Sequence, residues 1–389
     1  MNNISKNDPK IFLAADNCFG YKRWVLPDEW GKVLKELGIN FVEASADNEL
    51  DPFYMGKQYL TDWVKDVKSA EKLYGIKVSD IYSGHGSYTT LGLAHPDKRV
   101  RERIKKEWFM RLIEIAAELE AGFGFFAHGF SQSMLQNSRV YEQYKEILLD
   151  NFCELAEYAE KVGCKNIGVE QMYSPHQIPW RIDETHEMMR ELKKRGHDFY
   201  FTEDLGHHHM KFIKPKRTDI VEAVLKKQKK GLWLGTENAY QLYELALRWD
   251  GNTDSVVNKL LDDIDEHGYL FAEARDGDCY QWLEEIGEYA PIVHLQQTNG
   301  TESAHKFFTE ENNSNGKIKP QKLINALKKA YQKPVEKDMP ARCEEIHLTF
   351  EAFLSTAAIP HDALLDYKET VKYWRNFIPI DGMRLSELK

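Results

Sequence analysis

Eight short apolar stretches alternate with amphipathic segments along this 389-residue chain, and that alternation constrains the fold more than any other feature. The stretches span residues 10–16, 40–44, 77–82, 122–128, 166–171, 199–203, 291–296 and 345–351. Runs such as KIFLAAD, KNIGVEQ and PIVHLQQ lack strict period-two alternation, which marks parallel strands covered on both faces. Amphipathic segments follow them at 27–37, 95–121, 143–163, 183–196, 320–332 and 361–377. The first starts at Pro27 and stops before Gly38, using proline's fixed φ at one end and glycine's tolerance of positive φ at the other. Strand–helix alternation of this kind implies an α/β architecture. Eight repeats favour closure into a (β/α)8 barrel over an open sheet, and no GxGxxG follows the first strand to suggest a dinucleotide site.

About ninety residues separate the sixth and seventh strands, far more than elsewhere. Helical patterns at 217–230, 237–249 and 253–266 fall there. The expected organisation is a single barrel domain, 1–389, with residues 208–277 as a helical insertion beside or over its mouth. Trp233 and Trp249 suggest that the insertion packs against the body. Residues 305–319 read as a polar loop on the seventh strand–helix connection.

Composition limits the function. A formal net charge of −10 gives no bulk attraction to nucleic acid, and the KKQKK run at 226–230 reads as a solvated helix face. No stretch of 18 apolar residues is present, so no membrane span is expected, and the N-terminus lacks the pattern of a secretory signal. Five scattered cysteines without a CxxC pair argue against a disulfide framework and fit a reducing cytoplasm.

In such a barrel, chemistry sits at the C-terminal ends of the strands. The fifth ends in IGVEQ with Glu170. The sixth ends in FTEDLGH with Glu203, Asp204 and His207. The seventh, IVHLQQ, offers His294, Gln296 and Gln297, and the eighth, LTFEAF, offers Glu351. Singly, each has a bland explanation: a strand-end carboxylate paired with a nearby base, or a hydrogen-bonded core histidine. Together, Glu170, Asp204, His294 and Glu351 converge on one point. Three carboxylates held together need a neutralising charge. A divalent cation supplies it, and oxygen ligands with one imidazole suit Mn, Mg, Co or Zn. His85 and His128 sit between small residues at the third and fourth strand ends, where a ligand can approach. Trp24 is a candidate apolar wall. Of the 207–209 histidine run only His207 is assigned to the site, because consecutive residues cannot all face one ion.

At these residues the sequence resembles the xylose isomerase-like barrel superfamily, in particular its sugar-phosphate isomerase/epimerase branch of the tagatose 3-epimerase type. That branch binds one divalent metal with a Glu, an Asp, a His and a Glu from strands five to eight. The resemblance assigns those places to Glu170 in GVEQ, Asp204 in EDLGH, His294 in IVHLQ and Glu351 in TFEAF. Its D-x-x-H pattern makes His207 a substrate-binding histidine. Two departures stand out. The Asp204–His294 spacing is long, and the arginine that tagatose-type epimerases carry after the seventh-strand ligand is absent, HLQQTNG running on into TES. A substrate different from theirs is expected.

The resemblance implies a metal-dependent sugar or sugar-phosphate isomerase or epimerase, with Mn(II) the first expectation for the ion. The metal would act as a Lewis acid towards an enediolate, while Glu170 and Glu351 remove and return the proton. His85, His128, His207 and Gln297 would hold substrate hydroxyls, and Lys22, Arg23 or Arg181 could hold a phosphate. Rival expectations are a dehydratase of the inosose dehydratase type, a non-catalytic sugar-binding barrel, and an abasic-site endonuclease, against which the acidic charge argues. The resemblance leaves a homo-oligomer open.

Overall fold

The computed structural model describes residues 8–82, 90, 92–127, 129–249 and 251–389. Its eight parallel strands are β1 (Lys10–Asp16), β2 (Phe41–Ser45), β3 (Lys77–Tyr82), β4 (Gly122–Phe125), β5 (Ile167–Glu170), β6 (Tyr200–Asp204), β7 (Ile292–Leu295) and β8 (Glu345–Phe350). Each pairs with the next, and β1 pairs with both β2 and β8, so the sheet closes into the expected barrel. A short β9 (Met383–Arg384) adds to β1 antiparallel through Lys10↔Arg384. Two residues carry too little periodicity to be seen in a sequence. β1 and β3 match expectation to the residue. β4 differs most, because the run GFGFFAH does not mark where its ladder ends.

Helix Pro27–Leu37 forms where expected. The Glu29 carboxylate accepts the backbone N–H groups of Val25 and Leu26, and Gly38 closes the helix at φ 76°. Helix Pro52–Tyr74 is not among those the periodicity singles out: Gly56, at φ 71°, interrupts its opening turns. The segment expected as one helix over 95–121 divides into Lys98–Ile104, a wider π-helical turn Lys105–Phe109, and Met110–Glu118. The buried Lys105 on that wide turn reaches Glu102 and Asn151 at 2.9 and 3.1 Å and pairs with Glu154. A buried ammonium needs such partners.

Between β6 and β7 lie helices Arg217–Leu225, Glu237–Arg248, Asp254–Glu266 and Cys279–Ile286. The segment packs onto the body: Tyr269 stacks on Tyr141 with centroids 4.6 Å apart and donates to the Leu135 carbonyl at 2.8 Å. Trp233 is held within the segment by Phe212, Phe271 and the Leu270 carbonyl, whereas Trp249 is 53% exposed and contributes little packing. No helix among the described residues is long and apolar enough to cross a membrane.

Inside the barrel the side chains form layers. Near the N-terminal end Phe12, Phe41 and His347 pack ring on ring, with centroids 4.9–5.1 Å apart. Towards the C-terminal ends the interior turns acidic: Asp16, Glu43, Asp80, Glu170, Asp204 and Glu351 are all buried.

Candidate active site and metal centre

Glu170 and Asp204 are the last residues of β5 and β6, His294 lies on β7, and Glu351 directly follows β8. Pairing of Asp204 with His294 across β6 and β7 sets these two at one level. The Glu351 backbone N–H donates to the Leu295 carbonyl at 3.0 Å and draws the fourth residue to the same rim. One ligand atom from each of the four lies within 4.8 Å of the other three.

Each member is oriented by a further contact. Nδ1 of His294 lies 3.2 Å from Glu170 Oε1 and 3.7 Å from Glu351 Oε2, while Nε2 faces Glu43 at 3.0 and 3.3 Å. The imidazole is thereby backed on one side and presented on the other. Asp204 accepts from the Gly206 N–H at 2.7 Å, from the Gln296 amide at 2.9 and 3.1 Å, and from His207 Nε2 at 3.0 Å. Nδ1 of His207 donates to the Gln171 carbonyl at 2.7 Å, which fixes its ring. Gly206 leaves room for this contact: a Cβ at that position would lie 2.1 Å from the Gln296 amide carbon, so the Gln296 side chain would have to move.

The charges are unbalanced. Burial, with the neighbouring carboxylates, pushes Glu351 well above the usual range. Burial and Glu43 raise Asp80 and lift Asp16 to about 6. Burial opposes the Asp204 anion too, but His207 and the other nearby histidines outweigh it and hold that carboxyl below its ordinary value. Burial likewise disfavours the His207 cation, yet Asp204 raises it to about 9. His305, on the loop after β7, is pulled down to about 4 by burial. An acid-rich barrel with few compensating bases favours protons or a cation at its centre. Three carboxylates and one imidazole are a donor set that a divalent ion fits.

Other residues singled out in the sequence fall differently. Along a strand, successive side chains alternate faces. Gln296 therefore shares the inward face with His294, while Gln297 turns outward. The Gln297 amide donates to Asn313 Oδ1 and the Ile318 carbonyl and accepts from the N–H groups of Thr298 and Ile318. Those four bonds saturate it away from the cluster. Glu203 also points outward, accepting from His208 at 2.8 Å. His85 and His128 lie outside the described residues. Glu43, Asp16, Asp80 and His305 are additions that the sequence reading did not single out, although Asp16 is itself the last residue of β1. For Glu43 the signal was present: a carboxylate inside the apolar run FVEAS, the same setting that singled out Glu170.

Comparisons with known proteins agree with this architecture. Residues 32–375 match the family described as xylose isomerase-like TIM barrel. A xylose isomerase candidate from Rhodospirillum rubrum superposes with a TM-score of 0.67 at 19% identity, covering 94% of this chain and 99% of that one. A 3-keto-D-glucoside 4-epimerase from E. coli gives 0.52 at 13% identity, over 95% and 99% of the two chains. At such identities the likeness is one of fold. A D-erythrulose 1-phosphate 3-epimerase of Brucella abortus is 31% identical over 68 residues, 18% of this chain and only 22% of that enzyme.

Proposed function

We propose that this chain, which belongs to the xylose isomerase-like TIM barrel family, is a divalent-metal-dependent isomerase or epimerase that moves a proton beside the carbonyl of a small sugar. The observation that carries this is the convergence of Glu170, Asp204, His294 and Glu351 within 4.8 Å. These four would hold the ion, with Mn(II) the first candidate and Mg, Co or Zn compatible with the same donors. When bound, the ion supplies Lewis-acid polarisation of the sugar carbonyl and offsets the surplus negative charge.

The rest of the chemistry belongs to side chains. Glu170 and Glu351 approach from β5 and β8, so one can remove the α-proton and the other return it. Return to the opposite face of the same carbon epimerises; return to the neighbouring carbon isomerises. His207 engages Asp204 through Nε2 and the Gln171 carbonyl through Nδ1, so a substrate oxygen would have to take the place of Asp204 at Nε2. Gln296 steadies Asp204 from the inward face, whereas the sequence singled out its neighbour Gln297, as a holder of substrate hydroxyls. Residues 208–277 serve as an insertion buttressing this side of the mouth.

Solvent deuterium incorporation, followed by mass spectrometry over a panel of ketoses and aldoses with Mn(II), tests the proposal. Exchange at the carbon beside the carbonyl, abolished by EDTA and by Glu170→Gln, is expected. No exchange into any sugar by Mn(II)-loaded protein would overturn it, and release of water with an enone product would assign a lyase instead.

A further inference from the structure

Beside the cluster, the mouth opens into a cavity of about 460 Å³ between the loops that follow β1, β2 and β8. A small cavity bordered by Asp16 and Glu351 shares Cys18, Ser45 and Phe353 with it, so the larger space adjoins the reacting centre across these three side chains. Clefts of about 300–1,000 Å³ hold ligands of several rings. This one therefore has room for more than the sugar unit that reacts over the carboxylates.

Its chemistry is specific. Tyr21, Tyr54, Phe353 and Leu354 give it apolar and aromatic walls suited to the C–H faces of a sugar ring. Asp47 and Asn48 add polar groups for hydroxyls, while the Asp51 carboxylate is taken up by the Phe53 and Tyr54 N–H groups and the Trp108 indole. No Lys, Arg or His is among its described lining residues.

Of the basic residues that could have held a phosphate, Arg23 and Arg181 are committed elsewhere, while Lys22 is exposed at the rim beside Tyr21. Arg23 donates to the carbonyls of Tyr21, Ser355 and Ala358 at 3.1, 2.8 and 2.8 Å. Arg181 lies over the Trp180 ring and 3.7 Å from Glu184. Lys22 rests against the Tyr21 ring, 4.8 Å from its centroid. A phosphate dianion entering the cavity would meet the Asp47 and Asp51 carboxylates and gain no charge-assisted bond from its walls.

We propose that this cavity is a subsite for an uncharged ring, and that the substrate is a neutral glycosylated keto sugar and not a sugar phosphate. The inference rests on the function proposed above, since it assumes that a sugar reacts at the cluster.

Calorimetric titration of the Mn(II)-loaded protein with D-fructose, D-fructose 6-phosphate and isomaltulose tests it, because the last two carry a phosphate or a glucosyl group on the same oxygen. Isomaltulose is expected to bind about tenfold more tightly than D-fructose, and the phosphate no more tightly than D-fructose. Tyr21→Ala should bring the isomaltulose-to-fructose ratio towards one. Tighter binding of the phosphate, or equal binding of fructose and isomaltulose, overturns the subsite. Deuterium exchange separates the two proposals: exchange without any gain from the glucosyl group overturns only the subsite, whereas no exchange into these three or into any other sugar of the ketose and aldose panel overturns the function as well.

Discussion

Glu43 on β2 holds Nε2 of His294 on β7 between its two carboxylate oxygens, at 3.0 and 3.3 Å, with both side chains fully buried. Such a carboxylate fixes the imidazole tautomer and leaves Nδ1 facing Glu170 and Glu351. Removing such a partner typically costs about 10–100-fold in metal affinity or activity. Glu43→Gln is expected to weaken Mn(II) binding by that order, read by paramagnetic resonance of free Mn(II). Unchanged affinity would reduce Glu43 to a packing residue.

The buried carboxylates around His294 repel one another unless protonated or paired with a cation. Mn(II) should therefore raise the melting temperature, contributing about 2.7 kcal/mol at a hundredfold excess over Kd. Glu351→Gln replaces a carboxyl that burial and its acidic neighbours press to take up a proton by a side chain that is always neutral. It should raise the melting temperature of the metal-free protein and shrink the Mn(II)-dependent rise. A full rise retained in this variant would exclude Glu351 from the ligand set.

Asp204→Asn leaves the shape of the site but removes the charge that His207 and Gln296 address. Bound Mn(II), counted by elemental analysis after gel filtration, should fall well below that of the unaltered protein. Stoichiometric metal would contradict the assignment of Asp204 as a ligand.

Gly206→Ala tests the close approach beneath Asp204. The added Cβ would meet the Gln296 amide at 2.1–2.5 Å, and forcing such an overlap typically costs about 1–3 kcal/mol. Thermal unfolding should show that loss, together with weaker Mn(II) binding as Gln296 is displaced. A variant as stable and as metal-competent as the parent would mean that Gln296 has another rotamer available without cost.

Glu49 provides a pH test away from the cluster. It is fully buried and accepts from Trp30 and Trp63 at 2.7 and 2.8 Å and from Asn17, yet burial pushes it up to about 7. Its folded-state value lies above its unfolded one, so the folded state binds the proton more tightly. This contribution to stability is complete below about pH 4 and is lost as the pH rises to about 7, a change on the order of 3 kcal/mol. Glu49→Gln cannot titrate. Its stability relative to the parent should climb from pH 4 to pH 8, whatever constant offset the amide introduces against three donors. A flat difference across that range would show that Glu49 keeps one protonation state throughout.

Much of this was legible before any coordinates. Local periodicity located β1, β3 and the helices Pro27–Leu37 and Pro320–Gln332 to the residue, because these elements carry their own start and stop signals. The strand ends also singled out Glu170, Asp204, His294 and Glu351, since a carboxylate or imidazole at the end of an apolar run is a local anomaly. Helix Pro52–Tyr74 escaped because Gly56 breaks its opening, and the 95–121 segment divides where Lys105 finds its buried partners.

What the sequence by itself determined was the eight strands of the barrel and four of the groups at their ends, Glu170, Asp204, His294 and Glu351, because these are written within a few neighbouring residues. The partners of those groups were decided only by tertiary structure. Glu43 and His294 stand 251 positions apart and meet because the barrel closes. The choice between Gln296 and Gln297 turns on a single residue of strand phase, which reverses the face a side chain occupies. The fate of Arg23, its guanidinium committed to carbonyls more than 330 positions away as well as to a near neighbour, depends on where two loops come to rest, and no local pattern encodes that.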